Sequence, residues 1–156
     1  MREFTFENRQ RRYRLIRPSF LRMADHLLNG LLKLEAYQLA AHLVSDRAMI
    51  RLNRFYLHHA GSTDVITFDH GELVEKRYTY GEIYICIDEA VRQSSRFRTL
   101  WPEEVMRYLT HGMLHLLDYD DQTSADRQVM KRKENQLLRE LKKVHLPESI
   151  GETLPA

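Results

Sequence analysis

The spacing of hydrophobic residues predicts strands and helices over the first third of the chain. The stretches REFTFEN and KLEAYQLAAHLVS alternate apolar and polar positions, which is typical of half-buried strands. Between them, Pro18 precedes SFLRMADHLLNG, whose apolar residues recur at helical spacing and end at Asn29-Gly30. This segment predicts a first helix. Ser45 can cap a second helix over DRAMIRLNRFYL, because a serine side chain accepts from the free backbone N–H groups of a first turn.

A pair of strands is predicted in the middle of the chain. The run VITF consists of strand-forming residues. In GEIYICID, the side chains of Ile83, Ile85 and Ile87 are expected on one face of a second strand. The polar stretch DHGELVEKR between them suits a connection that joins antiparallel strands.

Three helices are predicted in the second half, over DEAVRQSSRF, over WPEEVMRYLTHGMLHLL and from about Ser124 to Lys143. The closing stretch LPESIGETLPA lacks periodicity and predicts a flexible tail. Strands early and helices late indicate an α+β fold. We expect a single domain over residues 1–145 and a tail over 146–156.

Composition indicates a globular protein of a reducing compartment. The 156 residues, 43% of them hydrophobic and 29% charged, fit one domain. A lone cysteine, Cys86, excludes an internal disulfide. No apolar run approaches the roughly 20 residues of a membrane span, and the N-terminus lacks the apolar core of a secretory signal. We therefore expect a cytoplasmic location without membrane attachment.

Positive charge concentrates near both ends of the chain, although the net charge is only +2. The segment Arg2 to Arg22 holds seven arginines and two glutamates, and Arg127 to Lys143 holds seven lysines or arginines and two glutamates. Such runs suggest a polyanionic partner such as nucleic acid. For the second run, an ordinary solvated helix surface is an equally good explanation.

The stretch THGMLHLLDYDD carries the clearest chemistry. On a helix, His111 and His115 project from one face, one turn apart, where two imidazoles can reach one small cation at about 2.0–2.1 Å. A third ligand would come from beyond the helix end, and Asp118, Asp120 and Asp121 are all candidates.

Two histidines and one carboxylate would leave a coordination position open, which is typical of a catalytic metal site. Zn²⁺ suits this ligand set best, and Ni²⁺ or Mn²⁺ also accept it. The alternative is a buried pair of histidines with ordinary hydrogen-bond partners. Gly112 stands where a zinc peptidase has a glutamate after the first histidine, which argues against peptide hydrolysis.

The motif HGMLHLLDYDD resembles the signature H-G-x-L-H-L-x-G-Y-D-H of the YbeY family of metal-dependent endoribonucleases. LNRFYLHHAGSTDVITF is similar to the family's helix end followed by P-T-D-V-L-S-F, and GEIYICIDEA is similar to its G-D-I-x-I strand. The motifs occur in the family's order, and the resemblance covers about residues 20–143. It implies an α+β fold with a small mixed sheet of about four strands packed with about five helices. It also implies one zinc-type ion, and a role on ribosomal RNA precursors and ribosomal particles.

The resemblance carries over the first two metal ligands, His111 and His115, and departs from the family at the third. The family's third histidine falls on Asp121, which implies a His₂Asp set that retains the ion with altered affinity. The family's glycine falls on Asp118, where glycine would suit a left-handed helix stop that Asp adopts at some cost.

A second departure concerns phosphate binding. The family's arginine before T-D-V falls on Leu57, so the expected cation is missing, and Arg54, His58 or His59 are the candidates to replace it. We expect mainly structural roles for the remaining motif residues, which are Asn53, Thr63, Asp64 and Cys86.

Three functional hypotheses follow. The first is a single-strand-specific endoribonuclease of ribosomal RNA maturation that hydrolyses phosphodiesters with metal assistance. The second, motivated by Leu57, is a non-catalytic ribosome-assembly or RNA-binding factor with a retained metal site. The third is a metal-dependent hydrolase of another substrate.

Overall fold

A mixed four-stranded sheet forms one layer of the fold. The computed structural model describes residues 1–71 and 78–155. The strands in chain order are β1 (Arg2–Asn8), β2 (Tyr13–Leu15), β3 (Ala36–Val44), β4 (Val65–Asp69), β5 (Tyr78–Cys86) and β6 (Gly151–Pro155). The sheet order is β1-β3-β5-β4, with β1–β3 and β3–β5 parallel and β4–β5 antiparallel. The predicted α+β fold with a mixed sheet is thus confirmed.

The five longer helices lie where the hydrophobic spacing predicts them, and the short sixth one falls in the segment expected as a tail. In chain order they are α1 (Arg17–Asp25), α2 (Asp46–Leu52), α3 (Ile87–Phe97), α4 (Trp101–Leu116), α5 (Ser124–Val144) and α6 (Pro147–Ile150). Helices α1 and α2 continue into wider π-helical turns over His26–Leu31 and Asn53–Leu57. The predicted cap of α2 is present, because Ser45 Oγ accepts from the backbone N–H of Ala48 at 3.4 Å. None of the helices in the described ranges is long and apolar enough to span a bilayer.

Helix α4 is the centre of the hydrophobic core. Its Met106, Leu109 and Met113 are fully buried, and it contacts α3, α5, β4 and β5. A Cβ atom at Gly112 would lie 2.8 Å from Ile83 Cγ2, so glycine is what lets α4 approach the sheet this closely. Because of this approach, the last turns of α4, which carry the two histidines, lie against the edge strand β4.

One predicted strand residue belongs to a helix instead. Ile83 and Ile85 are buried in β5 as predicted, but Ile87 is the first residue of α3. Its side chain is buried all the same, so the alternating pattern runs one residue past the strand. The predicted connection DHGELVEKR falls mostly outside the described residues, at 72–77.

The C-terminal segment, expected as a flexible tail, forms regular structure. Helix α6 buries Ile150 completely, and β6 pairs with β2 in an antiparallel ribbon. The indole Nε1 of Trp101 donates to the Glu152 carbonyl at 2.6 Å, and a Cβ atom at Gly151 would lie 2.3 Å from the Trp101 ring. Partners far away in the chain hold this segment in place, and no periodicity within it could reveal them.

Candidate metal centre and its two clefts

His111 and His115 meet at the C-terminal end of α4. Their Nε2 atoms lie 3.0 Å apart, and the two half-buried rings stand nearly perpendicular, with centroids 4.6 Å apart. This is the convergence predicted from their spacing of four residues.

Of the three candidate carboxylates, Asp121 converges on the histidines. Its Oδ2 lies 3.3 Å from His115 Nε2 and 4.0 Å from His111 Nε2. Asp120 instead caps the turn, because its Oδ1 accepts from the Asp121 backbone N–H at 2.7 Å. Asp118 is exposed and adopts the left-handed conformation with φ 70°, as expected for a residue at the family's glycine position. We call His111, His115 and Asp121 the histidine group.

The histidine group fits a small divalent ion. Metal–ligand bonds of about 2.0–2.1 Å in a tetrahedral arrangement place ligand atoms about 3.3 Å apart. The three separations, 3.0, 3.3 and 4.0 Å, bracket that value. Two imidazoles and one carboxylate are a donor set that zinc accepts, and three protein ligands leave a position free.

A buried glutamate from α5 orients His111. Glu134 Oε2 lies 3.0 Å from His111 Nδ1, and Glu134 Oε1 accepts from Arg107 Nη1 at 3.0 Å. Burial acts to lower the pKa of His111, but the Glu134 carboxylate raises it on balance. Burial likewise acts to raise the pKa of Glu134, and hydrogen bonds from His111 and Arg107 hold it below its ordinary value. A proton on Nδ1 directed at Glu134 leaves Nε2 with its lone pair toward the group.

The sequence contained a signal for Glu134 that the motifs did not use. The buried face of α5 consists of Glu134 and four apolar residues, Met130, Leu137, Leu138 and Leu141. A charged residue within an apolar stripe at helical spacing must be paired, because an unpaired buried charge is costly.

A second residue of α5 fixes the loop that carries Asp121. Arg127 Nη1 donates to the backbone carbonyls of Asp121 and Gln122, each at 3.2 Å. Helix α5 thus orients one ligand through Glu134 and holds the backbone of another through Arg127.

Two clefts border the histidine group. The larger, of about 580 Å³, lies between α3, α4 and α5, and we call it the basic cleft for three cations of its lining, Arg107, Arg127 and Lys131. Four carboxylates also line it, those of Asp64, Glu104, Asp121 and Glu134. The strand cleft, of about 310 Å³, runs along β4. The residues lining both are Asp64, His111 and Asp121. An extended ligand could therefore cross the group from one cleft to the other.

Comparison with known proteins assigns the family. The model of the family described as "Endoribonuclease YbeY" matches residues 5–142. The chain belongs to the YbeY family of endoribonucleases. The fold is also similar to that of a Thermotoga maritima protein solved in solution, with a TM-score of 0.66 at 22% identity over 90% of this chain and 90% of that one.

Two YbeY relatives show how far the likeness extends. The protein named "Endoribonuclease YbeY" from Chlorobium phaeovibrioides is 38% identical over 107 residues, which cover 67% of this chain and 69% of that protein. The one from Myxococcus xanthus is 38% identical over 112 residues, which cover 70% of this chain and 38% of that protein.

The predicted phosphate-binding residues of this YbeY member lie outside both clefts. Arg54, His58 and His59 are exposed on the π-helical turn after α2 and the loop that follows. None of the three lines either cleft within the described part of the chain, whereas Leu57 lines the strand cleft. At the position where the YbeY motif has arginine, the cleft wall is therefore aliphatic.

The other motif residues have local structural contacts. Asp64 Oδ1 accepts from the Val65 backbone N–H at 2.8 Å and from Thr63 Oγ1 at 3.3 Å, which forms the turn into β4. Asn53 is buried and donates to the Gly61 carbonyl at 3.0 Å. These contacts agree with the expected structural roles, and Asp64 additionally lines both clefts.

Proposed function

We propose that this YbeY member is a single-strand-specific endoribonuclease that matures ribosomal RNA precursors in the cytoplasm by metal-assisted hydrolysis of phosphodiester bonds. The observation that carries the proposal is the convergence of His111, His115 and Asp121 between two clefts. Family membership supports RNA as the substrate, and ribosomal particles are the partners that the YbeY resemblance implies.

The histidine group would hold one divalent ion, and zinc is the ion that suits its donors best. When bound, the ion supplies Lewis-acid polarisation of a phosphate oxygen and acidifies a water molecule. The chain's own residues prepare the group for it. Glu134 keeps the His111 proton on Nδ1, and Arg127 holds the Asp121 backbone in place. Arg54, His58 and His59 stay candidates for contact with the RNA backbone.

The proposal is tested first by metal content. Elemental analysis of the purified protein should find close to one equivalent of a divalent metal, and His115→Ala should lose it. An H115A variant that keeps its full metal content refutes the ligand assignment.

Activity is tested on two RNAs, one unstructured and one fully paired, with and without a chelator. We expect cleavage of the unstructured RNA, loss of cleavage with the chelator, and recovery when zinc is added back. Cleavage that survives complete metal removal would contradict the proposed mechanism.

A second candidate function is a non-catalytic ribosome-assembly factor that binds RNA through the same surface. Leu57 favours it, because this side chain is 41% exposed and lines the strand cleft where the family motif places an arginine. RNA binding without chelator-sensitive cutting would support this second function over the first.

A further inference from the structure

The two clefts differ in the cations that they offer to a phosphate. The lining of the basic cleft includes Arg107, Arg127 and Lys131, whereas the described lining of the strand cleft includes no lysine or arginine. A chain that carries Leu57 in the strand cleft can therefore still meet a phosphate with a cation of the other cleft that borders the histidine group.

Of these three cations, Lys131 is the one whose side chain makes no short hydrogen bond within the described part of the protein. Arg107 donates to Glu134 at 3.0 Å and to Asn135 at 2.9 Å, and Arg127 donates to two backbone carbonyls. The Lys131 side chain is 61% exposed, and its ion-pair contact, with Glu134 Oε1, is long at 3.9 Å. Glu134 Oε1 already accepts from Arg107, so the Lys131 ammonium is free to bind an external anion.

The carboxylates that line the basic cleft differ in how far they can neutralise the positive charge of Lys131. Glu104 and Glu134 are each only 4% exposed, and both accept internal hydrogen bonds, Glu104 from Thr99 and Glu134 from Arg107. Asp121 belongs to the histidine group, whose occupation by a cation would neutralise it. The fourth carboxylate, that of Asp64, is half-buried and accepts from the Val65 backbone N–H and from Thr63 Oγ1. The exposed lysine at the mouth is thus the charge that an incoming anion meets.

The same cleft has an exposed aromatic wall. Phe97, the last residue of α3, is 61% exposed and lines the basic cleft together with the buried Met130. A cation and an exposed aromatic ring that line one cleft match the repeating unit of single-stranded nucleic acid, in which phosphates alternate with bases that can stack. At about 580 Å³, the cleft lies within the range of roughly 300–1,000 Å³ that is typical of ligand sites.

We propose that the basic cleft binds the nucleotide next to the scissile phosphodiester, with Lys131 contacting its phosphate and Phe97 stacking on its base. Lys131 would then supply the cation that Leu57 lacks. This inference rests on the proposed RNA substrate, and it adds which of the two clefts binds the RNA.

The test is the salt dependence of binding, measured with the purified holoprotein. The probe is a single-stranded 2′-O-methyl phosphorothioate oligonucleotide, chosen because it resists cleavage. Loss of one phosphate contact lowers the slope of log affinity against log salt by about 0.7 for a single strand. We expect this reduction for Lys131→Gln. Phe97→Ala should weaken binding roughly fivefold or more and leave the slope unchanged, because stacking releases no counterions.

The matched control is Lys133→Gln, which removes the same charge from the same helix. Lys133 lies two residues, or roughly 200°, around α5 from Lys131 and does not line the cleft. Its slope should equal that of the wild type. Thermal melting of each variant confirms that the fold is kept, and both tested side chains are mostly exposed.

Two results would overturn the inference. An unchanged slope for Lys131→Gln shows that the basic cleft contacts no phosphate. Equal reductions for Lys131→Gln and Lys133→Gln show that binding depends on the general charge of α5. Failure of the proposed RNA substrate is distinguishable from both, because the wild-type protein itself would then show no salt-dependent binding. Failure of catalysis alone is read from the chelator-dependent cleavage assay and leaves binding intact.

Discussion

Two clusters of three potential metal ligands lie in the described part of the molecule. They differ in whether other side chains of the protein already pair with the ligand atoms. One is the histidine group. The other, which we call the cysteine cluster, consists of Asp46, Cys86 and Asp88. In both, the potential ligand atoms lie within 4.8 Å of one another.

The cysteine cluster already holds a cation of the chain itself. Arg92 donates from Nη1 and Nη2 to the two carboxylate oxygens of Asp46, each at 2.7 Å, and Ser62 donates to the same carboxylate at 2.9 Å. Asp88 accepts from the Asp46 backbone N–H at 2.7 Å. The Arg92 guanidinium holds the pKa of Asp46 well below its usual range, although burial opposes the shift.

Among the residues that the structure describes, no lysine or arginine pairs with the ligand atoms of the histidine group in this way. Its Nε2 and Oδ2 atoms face one another, and its supporting contacts, from Glu134 and Arg127, reach the far nitrogen of His111 and the backbone at Asp121. The comparison teaches that ligand type and proximity do not define a metal site. What decides is whether the chain has already satisfied the ligand atoms.

The largest expected effect concerns Cys86, because a thiol that binds metal must ionise. Burial raises the pKa of Cys86 to about 11, from an ordinary value of 9.0. At pH 8 the native thiol should therefore react with a disulfide reagent at least about 100-fold more slowly than the unfolded chain, since two pKa units change the thiolate fraction by that factor. Absorbance of the released thiol, with and without denaturant, measures both rates.

The same shift predicts a pH dependence of stability. The native thiol keeps its proton up to about pH 11, whereas the unfolded chain loses it near 9.0. The contribution of Cys86 to the free energy of unfolding is therefore fully present below pH 9 and is lost as the pH rises toward 11. Cys86→Ala should remove this contribution, and an identical pH profile in the variant would contradict the raised pKa.

The next effect concerns Glu134, the support of the histidine group. Glu134→Gln keeps the shape of the side chain but removes the charge that orients His111, so zinc affinity should fall by about 10- to 100-fold. Competition with a chromophoric chelator measures the affinity. The matched control is Glu140→Gln on the same helix, where the carboxylate pairs with Lys143. Equal affinities in the two variants would show that Glu134 does not act on the metal.

The smallest expected effect concerns the cation of the cysteine cluster. Arg92→Met should lower the free energy of unfolding by about 1 kcal/mol, because the pair is partly exposed and such pairs contribute little. Denaturant unfolding measures the change, with Arg96→Met, one turn further along α3, as the control. Zinc stoichiometry should stay at one, since Cys86 remains buried and protonated. A second tightly bound zinc in the variant would mean that Arg92 alone prevents the cysteine cluster from binding metal.

At the site, the sequence allowed prediction of the contacts that depend only on local backbone geometry. The convergence of His111 and His115 follows from helical spacing and needs no knowledge of the rest of the fold. Spacing alone left three candidate carboxylates, and the family resemblance selected Asp121. Its placement depends on the turn that Asp120 caps and on Arg127 from the next helix, which helical spacing does not show. Glu134 was missed for the same reason, since it lies 23 residues from His111 and meets it only when α5 packs on α4.

The fold likewise has features that local sequence predicts and features that depend on contacts between distant segments. Helices and sheet strands have periodic patterns, and they were predicted apart from end effects such as Ile87. The ribbon of β2 and β6 has no pattern of its own, because its two short strands gain their stability from Trp101 and Ile150. Pairings between distant short segments leave little trace in local sequence.

That ribbon also has a consequence for how the protein is made. Strand β2 leaves the ribosome long before β6, so its partner is absent while most of the chain emerges. During this time Trp101 lacks the Glu152 carbonyl and the contact with Gly151. Completion of the native state must therefore wait until residues 151–155 have been synthesised.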